Sequence, residues 1–162
     1  MHRVLFPFLG WGYMVIIGAF WSILPLQVPP PDVAMIMVLY AATGAYGPEE
    51  VFLVALMGDL LGGMPLGLGT LGKLLVFVLL GRFFFLVKIP FWGLFPFAFS
   101  LSLLELLIED LLRALSGLGT VGMSCCGMKI ALVTALFSYG IFALNNAFLE
   151  RLQGSGYGPE WK

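Results

Sequence analysis

Apolar residues in this chain run in long blocks instead of alternating with polar ones, and short clusters of Pro, Gly and charge separate the blocks. Such blocks predict membrane-spanning helices, since a bilayer core of about 30 Å asks for about 20 helical residues. The first block gives a helix over about 5–26, with Trp11, Tyr13 and Trp21 placed as interface anchors. It is too long for a signal-peptide core and lacks a small-residue cleavage site, so it reads as a retained span. Pro29-Pro30-Pro31-Asp32 then ends one helix and opens the next, because proline lacks the amide donor and Asp32 can cap the free amides of a new first turn.

The segment from Val33 to Gly63 is interrupted by Gly47-Pro48-Glu49-Glu50. One reading is a single long kinked helix, giving five spans. The other is two short helices, about 33–46 and 49–62, giving six. Pro followed by two acids suits a helix N-terminus and the positive end of its dipole, which favours six. Gly62 to Gly72 is a glycine-rich connection, and a fourth helix runs over about 71–86 with Lys73 and Arg82 near its ends. Lys88-Ile89-Pro90 breaks the chain before a fifth helix over about 91–115. Ser116 to Gly127 reads as a loop, about 128–149 as the last helix, and 153–162 as a polar, poorly ordered tail. The expected fold is an all-α polytopic bundle forming a single transmembrane domain over 1–162.

Composition supports this class. The chain is 60% hydrophobic and 10% charged with a mean hydropathy of +1.03, more apolar surface than 162 residues can hide from water in one core. Its eight Lys and Arg are scattered singly, so nothing in the charge pattern points to nucleic acid. Cys125 and Cys126 are adjacent, a spacing poorly suited to a structural disulfide, and they lack the partners of a zinc site. With six spans and both termini inside, Arg3, Arg82, Lys88, Arg151 and Lys162 fall on the cytoplasmic side, against Arg113 and Lys129 outside and Lys73 near the outer end of the fourth helix, a modest bias in the sense of the positive-inside rule.

Acids near lipid are costly, which makes them the first place to look for function. Asp59-Leu-Leu followed by Gly67-Leu-Gly-Thr-Leu-Gly72 is nearly repeated as Asp110-Leu-Leu followed by Gly117-Leu-Gly-Thr-Val-Gly122. Both motifs would end helices at the outer face, as a parallel repeat of a helix pair would, and unlike an inverted repeat. Asp59 lies beside Gly58 and before Gly62, a small-xxx-small spacing that admits a neighbouring backbone. It reads as a polar anchor to a neighbouring helix or to the following loop, or as an interfacial carboxylate meeting water. On the fifth helix Glu105 and Glu109 share a face, and Glu109 is four residues from Arg113. This end of the helix is expected at the outer interface or along a polar cavity. Paired carboxylates can serve acid–base hydrolysis, but no nucleophile, second histidine or metal-ligand set accompanies them. Asn145 and Asn146 suit helix-to-helix bonding. Phe83, Phe84, Phe85, Phe91, Trp92, Phe95, Phe97 and Phe99 form an aromatic corner that faces lipid or docks a partner helix.

Pro31-Asp32-Val-Ala-Met-Ile-Met-Val-Leu-Tyr40, Ala55-Leu-Met-Gly-Asp59-Leu-Leu-Gly62 and Pro65-Leu-Gly67 resemble the rod shape-determining MreD family, although Ala41 stands where that family shows an aromatic. The resemblance implies a non-enzymatic multi-pass subunit of the bacterial inner membrane, without a cofactor. Such a subunit associates with the bitopic protein MreC and, through it, with MreB, RodA and its transpeptidase. It also brings in a relative in fold, the S components of energy-coupling-factor vitamin transporters, which hold one vitamin in an outward-facing cavity. On the scaffold expectation Asp59 and Asp110 are polar anchors, Asp32 is a cap, and Gly58, Gly62 and Gly67 permit close approach. The outer loops are short and bare of hydrogen-bonding side chains, which counts against vitamin recognition.

Overall fold

The computed structural model describes residues 2–24, 28–43, 46–62, 67–84, 91–118 and 125–153. Among them all regular structure is helical: α1 (His2–Ile23), α2 (Val33–Thr43), α3 (Pro48–Gly62), α4 (Leu68–Phe84), a 3₁₀ turn at Phe91–Gly93, α5 (Leu94–Leu115) and α6 (Cys125–Gln153). The connections over 63–66, 85–90 and 119–124 and the tail after 153 lie outside the described residues.

Two helices, not one kinked helix, occupy the segment after the prolines. Pro48 opens α3, and the Gly47 amide donates to Glu50 Oε2 at 2.8 Å, so a first-turn acid closes the turn that precedes it. Tyr46 folds back beside this turn and stacks on Phe6 of α1 with ring centroids 4.1 Å apart. A kinked continuous helix would carry that ring away from α1.

The core is built around α2. Nine consecutive residues, Val33 to Ala41, are buried, and α2 packs against all five other α-helices. A helix covered on every side must be apolar all round, as Val-Ala-Met-Ile-Met-Val-Leu-Tyr-Ala is. Its polar contacts fall at its ends. Asp32 Oδ1 accepts from the Met35 amide at 2.9 Å and caps the helix, while the Asp32 amide donates to Thr134 Oγ1 of α6 at 2.8 Å. At the other end Tyr40 donates its hydroxyl to Asn146 Oδ1 at 2.8 Å, and Asn145 Nδ2 approaches Met37 Sδ at 3.4 Å. Both ends of α2 are therefore tied to α6.

Helix α3 lies close against α2 because Gly58 has no side chain: a Cβ there would come within 2.7 Å of Ala34 Cβ. The last two helices pack on each other, and Tyr139 of α6 donates to the Trp92 carbonyl at 3.2 Å, fixing the 3₁₀ turn that enters α5. Of the aromatic corner, Trp92 is exposed while Phe95, Phe97 and Phe99 pack partly buried on the core. The side chains of Phe83, Phe84, Phe85 and Phe91 lie outside the description. Helix α6 begins at Cys125, so the cysteine pair belongs to its first turn, and Cys126 is an exposed free thiol.

Two helices are long and apolar enough to cross a membrane, Val4–Ile23 and Cys126–Phe148. Helix α2, with 11 residues, spans about 16 Å, and α3 and α4, with 15 and 17, span about 22 and 26 Å. All three fall short of a 30 Å hydrocarbon core. Helix α5 has 22 residues but carries Glu105, Glu109, Asp110 and Arg113 in its second half.

Candidate functional site

At one end of the bundle the N-termini of α2 and α4 meet the C-terminal halves of α3 and α5, and their charged residues gather there. Asp59, buried near the end of α3, supplies the first element. Its Oδ2 accepts from the Gly67 amide at 3.0 Å, the Thr70 amide at 2.9 Å and Thr70 Oγ1 at 2.8 Å. The first turn of a helix has amides with no partner inside the helix, and a carboxylate also complements the positive end of the dipole. That support starts α4 at Leu68, three residues before the start the apolar pattern suggests. Gly67 takes φ +97° to turn its amide onto the acid, a conformation that favours glycine.

The second element is the bare face of α4. A Cβ on Gly69 would run into the Asp59 carboxylate and stand 3.0 Å from Glu109 Oε1, and one on Gly72 would touch Glu109 Cγ at 3.5 Å. Two glycines thus open a channel on α4 into which acids from α3 and α5 settle. Lys73 follows in the next turn. Its ammonium lies 3.0 Å from Asp32 Oδ2 and also pairs with Glu105 Oε1, so one cation of α4 joins the cap of α2 to the inner face of α5. The Lys73 and Glu105 side chains are 6% and 5% exposed, whereas Asp32 is 28% exposed and forms the open rim.

These groups line a cavity of about 670 Å³ to which all six α-helices contribute. Met14, Val15, Gly18 and Ala19 of α1, with Leu61, Leu106 and Ile130, form its apolar wall. Asp32, Asp59, Lys73, Ser102, Glu105 and Glu109 form its polar side. Four carboxyl groups thus face a single ammonium. The Ser102 hydroxyl, buried at 3% exposure, has no hydrogen-bond partner among the described residues.

Of the residues singled out in the sequence, the structure gathers Asp32, Gly58, Asp59, Gly62, Glu105 and Glu109 around this cavity, and Gly67 serves it through its amide. Asp110 does not line it and is half-buried. At about 100° per residue Asp110 points away from the face shared by Ser102, Glu105 and Glu109, so Glu105 and Glu109 are the acids that α5 turns inward. Sequence reasoning missed Lys73 as the central cation, along with Thr70, Ser102 and Thr134. A Lys one turn into a helix that starts beside an acid was the available signal for the first. The hydroxyls carry none.

Among the described residues no group of three or more His, Cys, Asp or Glu is placed to hold a metal ion. The arrangement can neutralise and position charge between helices, and it leaves a cavity with one apolar and one acidic side. Comparison with family models, curated proteins and solved structures returns no match for this chain.

Proposed function

We propose that this chain is a six-span membrane subunit without a reaction of its own, an MreD-like scaffold of the bacterial rod-shape and elongation machinery. In this reading both termini are cytoplasmic, the acid-rich end of the bundle faces outward, and the partner is an MreC-like bitopic protein that links it to RodA, its transpeptidase and MreB. The observation that carries the reading is the use made of the charged side chains: Lys73 joins three helices through Asp32 and Glu105, and Asp59 holds the first turn of α4. Charge spent on fixing helix positions suits a subunit that works by packing. The outer surface of α1, where Val4, Phe8, Trp11, Ile16, Phe20 and Ile23 are exposed, suits lipid or a partner helix. Affinity purification from native membranes in mild detergent, followed by mass spectrometry, tests the proposal. Recovery of an MreC-like protein with cell-wall synthases is the expected result.

One observation favours a second reading, a substrate-binding S component. The polar groups that bare loops could not supply come instead from the helices, and they line a cavity large enough for a small molecule. Recovery of paired ATPases with a transmembrane coupling subunit in the same experiment would replace the scaffold reading with this one.

A further inference from the structure

Among the described residues, the lining of the cavity at the acid-rich end holds more acidic than basic side chains. Lys73 is shared between Asp32 and Glu105, so one positive charge serves two carboxylates. Asp59 is satisfied differently, by two amides and a hydroxyl at the start of α4. Glu109, 7% exposed, is attracted by Lys73 and by Arg113 one turn farther along α5, and repelled by Asp32 and Asp59. Closely set acids with so few described basic partners form a site that a further cation would complement. A second observation points the same way: Ser102, one turn before Glu105 on the lining face of α5, keeps a buried hydroxyl without a partner, a cost borne unless something accepts or donates there. The opposite wall is apolar, and Gly18 and Ala19 of α1 keep it wide.

We infer that this cavity binds a small amphipathic organic cation, its ammonium held by Glu105, Glu109 and the Ser102 hydroxyl and its apolar body lying against Met14, Val15 and Leu106. An anion is disfavoured because Lys73, the one lysine among the described lining residues, is already paired with two acids. The described acids are not placed to hold a bare metal ion. A volume of about 670 Å³ lies within the usual range of small-molecule sites. This goes beyond the scaffold reading and stands or falls apart from it, since a structural partner and a bound amine are read by different experiments.

The test uses the full chain in phosphatidylcholine nanodiscs, with phenethylammonium as the probe and phenethyl alcohol and 3-phenylpropionate as neutral and anionic controls of similar size. The unfolding midpoint followed by tryptophan fluorescence, together with calorimetric titration, reports binding. The expected result is a midpoint raised by the amine, little changed by the alcohol and unchanged by the carboxylate. Glu109→Gln weakens the amine by about tenfold, as loss of one charge-assisted hydrogen bond would. Ser102→Ala weakens it while leaving the unliganded midpoint unchanged or higher, and this variant keeps the test decisive where Glu109→Gln does not fold. Equal shifts from amine and alcohol, a preference for the carboxylate, the absence of any amine shift, or full amine affinity in Ser102→Ala would each overturn the inference.

Discussion

The Lys73 ammonium of α4 stands 3.0 Å from Oδ2 of Asp32, the residue whose other carboxylate oxygen caps α2. One acid therefore fixes the start of the central helix and the position of the second turn of α4, with Glu105 of α5 held on the far side of the same cation. Removing the lysine alone strands two acids. Lys73→Met is expected to destabilise the protein by about 3–5 kcal/mol, whereas Lys73→Met combined with Glu105→Leu should recover a large part of that, because breaking a buried pair costs more than replacing it with apolar groups. A double-mutant cycle on unfolding midpoints in nanodiscs measures this. A double variant as unstable as the sum of the singles would exclude the coupling.

Asp59 can be examined through the chemistry it loses. Asn keeps an acceptor for the Gly67 and Thr70 amides and should cost about 1 kcal/mol, while Leu leaves two amides and a hydroxyl without their acceptor and should cost about 3 kcal/mol or more. The same order should appear in the yield of any co-purifying complex. Wild-type yields from both variants would show that the carboxylate is not an anchor.

Gly58 and Ala34 form a contact with no room for a methyl group. Gly58→Ala is expected to cost about 1–3 kcal/mol through overpacking. Adding Ala34→Gly should return most of the loss despite the poorer helix propensity of glycine, and the comparison of single and double variants by thermal unfolding reads it directly.

At Gly69 two rules disagree. Helix propensity favours alanine by about 1 kcal/mol, but its Cβ would meet an Asp59 carboxylate held by three hydrogen bonds, so Gly69→Ala should be net destabilising by about 1–3 kcal/mol. In an Asp59→Ala background the same change should become neutral or stabilising. A sign that stays the same in both backgrounds would mean that Asp59 is not what excludes the side chain.

Much of the helix order was legible because punctuation stands out in a chain this apolar: Pro29–Pro31 with Asp32 ends one helix and begins another, and Gly47-Pro48 with its two acids favoured two helices over one kinked helix. The closeness of Asp59 to the glycine-rich connection was legible too, since Gly67 lies only eight positions further on. Which residues meet across the bundle was not. Helix α2 is apolar on every face, so its pattern does not say which side greets α4, and Asp32 and Lys73 are brought together only by packing. The repeated Asp-Leu-Leu motif drew attention to Asp110, whereas the rotation of α5 sets Glu109 against Gly69 and Gly72. Motif likeness gives position along a helix, and the facing surface gives the partner. The end of α2 was not legible for a related reason: Ala41-Ala-Thr43 and the residues after it continue the apolar run, whereas the described helix runs to Thr43 and Tyr46 stacks on Phe6.

The ties from α2 to α6 join residues 102 and 106 positions apart, Asp32 with Thr134 and Tyr40 with Asn146. Helix α2 is thus closed by α6, four helices further along the chain. Without α6, this helix of about 16 Å, apolar on every face, would have one flank uncovered. The closure of the core around α2 therefore rests on contacts made more than a hundred positions further along the chain.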